Sequence, residues 1–331
     1  MKNKLLPFVL LVGVLTSGAA PLRGSVTATY GGYLALEFLK GQAQSDFARG
    51  SIQNIQAGFL AAGAVTSKLT FSLEVRARTE SLFQIEQAWV GFVPSQVVSV
   101  KAGLYLVPFG IWNRASRPHE APLIGTPLNL EYLYPASWRD LGLMVEGKIG
   151  ILVYAAYIGN GLKEADSLQG GQQFSDNNKD KGKGGRLGLE FSERLQAAVS
   201  YYTGKYDDLN ERRLTLEGAD FSWVTDQWEV KAEATRALIE NPESFAKGKS
   251  EGYSVWMVMK FATLQPVGSF QKVKVDDPYH GGGISIDRSR WTLGCRVVLG
   301  PNLFLKAEYE WNKETPKIKD NLFRVQAALG F

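Results

Sequence analysis

Apolar and polar residues alternate along most of this chain. Leu69, Phe71, Leu73, Val75 and Ala77 alternate with Thr70, Ser72, Glu74, Arg76 and Arg78. Val98, Val100, Ala102, Leu104 and Leu106 alternate with Ser99, Lys101, Gly103 and Tyr105. Trp228, Val230, Ala232 and Ala234 alternate with Glu229, Lys231, Glu233 and Thr235. Leu305, Ala307, Tyr309 and Trp311 alternate with Lys306, Glu308 and Glu310. A period of two with one apolar face specifies a β-strand. The pattern predicts sixteen strands, near 25–39, 51–64, 68–79, 84–93, 97–107, 139–148, 150–159, 184–192, 195–204, 211–224, 227–238, 250–262, 265–276, 286–299, 302–312 and 320–331. Three of them are weakly phased. Segment 265–276 puts Gln271 on the apolar face if Lys272 and Lys274 take the polar one. Segment 211–224 changes phase between Gly218 and Phe221, as a bulge would make it. Segment 84–93 can be phased either way. Loss of weak segments would leave fourteen strands.

The connections sort by parity. After even-numbered strands come the short turns Val65-Thr66-Ser67, Pro94-Ser95-Gln96, Ile149-Gly150, Glu193-Arg194, Thr225-Asp226, Thr263-Leu264 and Gly300-Pro301. Connections after odd-numbered strands are mostly long and polar, among them 40–50, 108–138, 160–183, 239–249 and 313–319. A soluble sandwich has no reason to place every short turn on one parity. Bacterial outer-membrane barrels do, with short periplasmic turns and longer outer loops. The expected fold is all-β: one closed antiparallel transmembrane barrel over residues 21–331, with both termini on the same side.

The end of the chain agrees. Phe323, Val325, Ala327, Leu329 and Phe331 form an apolar face, with Arg324 and Gln326 between them. An apolar strand closed by a terminal aromatic resembles the last strand of outer-membrane barrels. The resemblance implies that Phe331 is part of the signal read by a barrel-assembly machinery. At the other end, Lys2 and Lys4 precede an apolar run, Leu5 to Leu15, and then Ser17, Gly18, Ala19 and Ala20. This reads as a signal peptide over 1–20, since the run falls short of the roughly 20 residues of a spanning helix. The location expected is the outer membrane of a Gram-negative-type bacterium, with outer-membrane lipid around the barrel.

The polar face carries many charges. Arg76, Arg78, Lys101, Arg186, Lys231, Lys260, Lys272, Lys274, Arg296, Lys306 and Arg324 take inward positions in this phasing. So do Glu74, Glu146, Glu190, Glu229, Glu233, Glu308 and Glu310. A charge on the lipid face costs roughly 2–4 kcal/mol at the midplane. So many on one parity require a wet lumen, and a sixteen-stranded barrel is wide enough for an aqueous channel.

Composition adds exclusions. The net charge of +4 is mild, and Lys and Arg are spread along the chain, which argues against a nucleic-acid partner. The single cysteine, Cys295, sits in an apolar strand pattern and reads as small filler. The two histidines, His119 and His280, fall in connections rather than strands, and no residues show metal-ligand spacing. Neither an enzyme, a metal nor a cofactor is expected.

The longest connection, 108–138, contains Arg114, Arg117, His119, Glu120 and Glu131, and it is braced by Pro118, Pro122, Pro127 and Pro135. Its apolar Leu123, Ile124, Leu128 and Leu130 predict a loop folded into the lumen. An outer cap or a subunit contact is the other use for such a loop.

The run Lys101-Ala102-Gly103-Leu104-Tyr105-Leu106-Val107-Pro108-Phe109-Gly110 precedes Trp138-Arg139-Asp140-Leu141-Gly142 across that loop. The pair of motifs resembles the phosphate-selective porin O/P family, over about residues 84–148. The resemblance implies a sixteen-stranded, homotrimeric porin, without implying phosphate as the solute. The expected function is a passive diffusion channel for small hydrophilic solutes with modest preference for anions. Arg114, Arg117, Arg139, Arg76, Arg78 and Lys101 are the candidates for its constriction. The alternative is a structural or adhesive barrel plugged by its own loops.

Overall fold

Inward polar residues and outward apolar ones are compatible only with a sheet that closes on itself, and the computed structural model has that form. It describes residues 26–79 and 83–331; the expected signal peptide lies outside them. Sixteen strands follow one another around the wall: β1 (Thr27–Gly41), β2 (Ser51–Ala64), β3 (Leu69–Arg78), β4 (Gln84–Ser95), β5 (Val98–Leu106), β6 (Arg139–Ile149), β7 (Leu152–Gly159) and β8 (Gly182–Ser192). The second half comprises β9 (Leu195–Lys205), β10 (Arg213–Val224), β11 (Trp228–Ile239), β12 (Gly248–Met259), β13 (Leu264–Asp277), β14 (Ile284–Gly300), β15 (Leu303–Glu314) and β16 (Leu322–Gly330). Each strand pairs antiparallel with its sequence neighbours, and β16 returns to β1 with Gly330 opposite Tyr33 and Leu322 opposite Gly41. Closure leaves no unpaired edge, which a hydrocarbon surround requires. The fourteen-strand count is thereby set aside.

Connections after even-numbered strands are all of four residues or fewer, and every connection after an odd-numbered strand is longer. One end of the barrel is therefore trimmed and the other carries loops. The C-terminal Phe331 lies at the trimmed end. Its backbone exchanges two hydrogen bonds with Gly32 (2.8 and 2.9 Å), and its ring occupies the space a Cβ on Gly32 would fill.

Strand phase follows the alternation for most of the wall. On β15, Lys306, Glu308 and Glu310 are buried inside, while Leu305 and Trp311 are exposed outside. Three strands depart from expectation, each for a physical reason. On β4 a register shift opposite Glu74/Val75 turns both Glu86 and Gln87 inward, so a single phase could not describe it. On β10 the pairing is regular on both sides, and the expected bulge is absent. Leu214, Leu216 and Asp220 all face in, and Glu217 faces out. On β13 the expected phase is reversed. Ser269, Gln271, Val273 and Val275 are buried inside, whereas Lys272 and Lys274 face outward. Toward the long-loop end of β10–β13 the usual rule is inverted, because the inner face packs on protein rather than on water.

Candidate functional site

The protein packed against that inner face is the 107–138 segment. It enters from β5 through Val107, Pro108, Phe109 and Gly110. Gly110 sits at φ 63°, and a Cβ there would collide with the Glu233 carboxylate. Only glycine lets the backbone approach that acid so closely. A single 3₁₀ turn, Trp112–Arg114, follows. After Pro127 comes the short helix α1 (Leu128–Tyr132), where proline's fixed φ suits a helix start. Asn113 ties the neck shut. Its amide donates to the carbonyls of Val107 (2.8 Å) and Trp138 (2.9 Å), and its Oδ1 accepts from the Trp138 N–H.

One face of the segment is apolar and fully buried. Phe109, Trp112, Leu128, Leu133, Tyr134 and Trp138 pack on the wall residues Tyr157, Tyr202, Leu216, Trp256 and Val273. The Trp112 and Trp256 rings lie 3.9 Å apart between centroids, and Trp138 meets Tyr202 edge-on at 4.9 Å. Such aromatic pairs contribute about 0.5–1.5 kcal/mol each beyond area burial.

Buried polar groups of the wall hold the segment's backbone. Glu233 accepts from the N–H of Ile111 (2.8 Å) and Trp112 (3.4 Å) and from the Tyr134 hydroxyl (2.5 Å). Across the lumen Glu308 accepts from the N–H of Ile124 (2.9 Å) and Gly125 (2.7 Å). Lys306 donates to the carbonyls of Pro118 and Ala121, the latter at 2.7 Å. Gln271 accepts from the Leu128 N–H, and Arg290 clasps Glu131 at 2.9 Å. Burial pushes the Tyr134 hydroxyl well above its ordinary pKa, and the neighbouring Glu233 charge adds to this.

The opposite edge of the segment, 114–118, faces β1–β4 and divides the remaining space. On the long-loop side is a cavity of about 210 Å³, bordered by Glu37, Gln56, Arg76, Arg78, Ser137 and Arg324. On the short-turn side is a larger one of about 610 Å³, bordered by Lys101, Arg114, Arg117, Glu146, Arg186 and Glu190. Between them Arg117 bridges the loop to the wall. It lies 2.9 Å from Glu74 and 3.0 Å from Glu120. Burial alone would lower the Arg117 pKa, but hydrogen bonds and charge from these two acids outweigh it and hold the guanidinium above its ordinary value. Burial shifts the neighbouring His119 down, against the pull of Glu120.

The six basic residues singled out from the sequence occupy three settings. Arg76 and Arg139 are each only 2% exposed and share Glu86, at 3.3 and 3.7 Å. Arg76 also donates to the Tyr33 hydroxyl, and Arg139 to the Ile85 carbonyl. Arg78 borders the smaller cavity. Lys101, Arg114 and Arg117 border the larger one, where Lys101 lies 2.6 Å from Glu146 and 4.4 Å above the Trp89 ring. Arg114 is exposed and forms no ion pair among the described residues. Pattern reading missed the groups that shape this gap: Glu74 as the partner of Arg117, Glu86 as the shared counter-ion, and Asn113 at the neck. The alternation did place Glu74, Glu233, Lys306, Glu308 and Glu310 on the inner face, without naming what each would hold. His280 sits apart, among the long loops, with Nδ1 2.7 Å from Asp277.

No protein-family model matches the chain. An uncharacterized protein of Aquifex aeolicus (strain VF5) is 22% identical over 174 residues, a match that spans 48% of this chain and 39% of that protein. The chain thus matches well under half the length of this relative. Among solved structures, in-vitro folded OmpT, an outer membrane protein of Vibrio cholerae in its trimer form, superposes with a TM-score of 0.67 at 13% identity. It covers 93% of this chain and 100% of that one. An anion-selective porin from Comamonas acidovorans superposes with a TM-score of 0.67 at 11% identity, covering 93% and 100%. At these identities the likeness is one of fold, and the fold is that of the sixteen-stranded outer-membrane porin barrel.

Proposed function

We propose that the chain is an outer-membrane porin, a passive diffusion channel for small hydrophilic solutes with modest preference for anions. The observation that supports this reading is the pair of cavities on either side of residues 114–118. Their lining includes Arg76, Arg78 and Arg324 on one side and Lys101, Arg114, Arg117 and Arg186 on the other, against fewer acids. A narrow passage through a low-dielectric wall strengthens the field of each fixed charge. Arg suits bidentate contact with phosphate or carboxylate, and the family resemblance makes phosphate one candidate solute. The anion selectivity of the Comamonas fold neighbour is consistent with this.

Changing Arg114 and Arg117 together to Ala is expected to lower anion preference. Loss of Arg117 also uncovers the charge of Glu74. Reversal potentials in a salt gradient report the change, and the remaining preference should be screened by added salt. Cation preference in the unmodified protein would overturn the reading. The second reading, a barrel plugged by its own loop, is favoured by the apolar packing of 107–138 and by the Arg117–Glu74 bridge. Zero conductance in planar bilayers would establish it.

The proposed partners are outer-membrane lipid, the assembly machinery and two further copies of the chain. The outward face of β1–β5 supports the homotrimer. Toward the long-loop end it exposes the apolar Phe38, Ile52, Ile55 and Ile85, with Lys40 on the same face of β1. Toward the same end, β10–β14 turn outward the charges Glu217, Arg236, Glu251, Lys274 and Asp287. The less charged outward face of β1–β5 suits burial against further copies of the chain. Deleting Phe331 is expected to reduce surface assembly more than shortening the 170–180 loop. Surface levels of the two truncations check it, and equal levels would refute an assembly role.

A further inference from the structure

The outer wall of β10–β14 carries charges that a channel has no use for. Cross-strand pairing sets Glu217 beside Arg236, Arg236 beside Glu251, Glu251 beside Lys274 and Lys274 beside Asp287. This outward row alternates in sign across five strands. The next outward row toward the short turns is Ala219, Ala234, Tyr253 and Lys272. Below it run Phe221, Ala232, Val255, Phe270 and Trp291. A charge costs little near the membrane interface and about 2–4 kcal/mol at the midplane. The middle row therefore lies where hydrocarbon gives way to headgroups.

Two features make this level a site. Ala219 and Ala234 offer only methyl groups, so the wall is hollowed there into a notch of about 560 Å³ flanked by Tyr253, Lys272 and Lys274. The charges above it are unevenly satisfied. Arg236 lies 3.8 Å from Glu217, Lys272 lies 3.6 Å from Asp287, and Lys249 lies 2.8 Å from Glu251. Lys274 is exposed and forms no ion pair among the described residues. Lys272 and Lys274 project from the same face of one strand, with stems about 7 Å apart. That spacing lets two ammonium groups close on one phosphate.

We propose that the notch seats a phosphorylated glycolipid of the outer leaflet, with an acyl chain along Ala219, Ala234 and Phe270 and a phosphate between Lys272 and Lys274. Ammonium–phosphate hydrogen bonds are charge-assisted and among the stronger kind. Glu251 and Asp287 flank the lysines, so a phosphate without its acyl chain binds poorly. The inference rests on the outer-membrane reading above.

Native mass spectrometry of the detergent-solubilised protein with diphosphoryl lipid A tests it. The unmodified protein should retain the lipid, and Lys272→Ala/Lys274→Ala should weaken retention about tenfold. Ala234→Trp, which fills the notch and leaves every charge in place, should weaken it as well. Lipid A stripped of phosphate should bind the unmodified protein no better than diphosphoryl lipid A binds the double variant, and inorganic phosphate should not displace the bound lipid. Equal retention by the double variant, or equal binding of the stripped lipid, would overturn the proposal. Protein oligomers that form through this face without lipid would overturn it too and assign the notch to a second copy. Both lysines lie outside the lumen, so the double variant should conduct like the unmodified protein. Absence of conductance would count against the porin reading and leave the lipid measurement interpretable.

Discussion

Replacing Glu233 with alanine is expected to raise single-channel conductance and to make the current noisy. Glu233 is 2% exposed and serves as acceptor for the Ile111 and Trp112 N–H groups and the Tyr134 hydroxyl. Alanine leaves these donors buried without a partner, at about 1–3 kcal/mol each. They can find acceptors only by moving toward water, and that movement carries the 3₁₀ turn and residues 114–118 off the β1–β4 wall. The barrel itself should survive, because its closure rests on strand pairing that the substitution does not touch. Glu233→Gln keeps one carbonyl acceptor and should give an intermediate result. A quiet trace of unchanged conductance in the alanine variant would show that apolar packing alone holds the loop. Glu308, which grips Ile124 and Gly125 from the other side, then becomes the residue to test.

Placing arginine at Ala307 is expected to block stable insertion. Ala307 lies in the middle of β15, paired with Cys295 on β14 and Val325 on β16, all of them on the outward face. An arginine there would sit in hydrocarbon at a cost of about 2–4 kcal/mol, a large share of a typical folding free energy. The same substitution one residue away, at Lys306, would point into the lumen. Folding into lipid vesicles, read as resistance to heat unfolding on a gel, separates the cases. Normal folding of Ala307→Arg would mean that the inner and outer faces of β15 are exchanged.

The wall was more legible than its contents because the two obey different rules. A strand between water and lipid shows its phase directly, as β3, β5, β11 and β15 do. β13 misled because Val273 and Val275 point inward onto the loop's apolar packing, while Lys272 and Lys274 point out above the apolar band. Charge was read as a mark of the lumen, and there it lies on the outer face. β4 stayed ambiguous because one extra residue turns two successive polar side chains to the same side. At the candidate site, arginines could be named one by one, but their worth depends on acids far away in sequence. Arg139 and Arg76 meet at Glu86, and Arg117 reaches back to Glu74.

Alternation and turn parity are local properties, each settled within about ten residues. From them the sequence alone determined a closed antiparallel barrel of sixteen or fourteen strands, its trimmed and looped ends, and which face of most strands points outward; the pairing around the closed wall settled sixteen. The tertiary structure decided how the long loop lies, which arginines are buried against carboxylates and which remain open to the cavities, and where the outer wall turns from apolar to charged. Those outcomes depend on contacts between residues far apart in sequence, from Arg117 with Glu74 to Ile111 with Glu233 and Gly125 with Glu308. No periodicity along the chain encodes such a contact, because its energy exists only once closure has brought the two walls within reach.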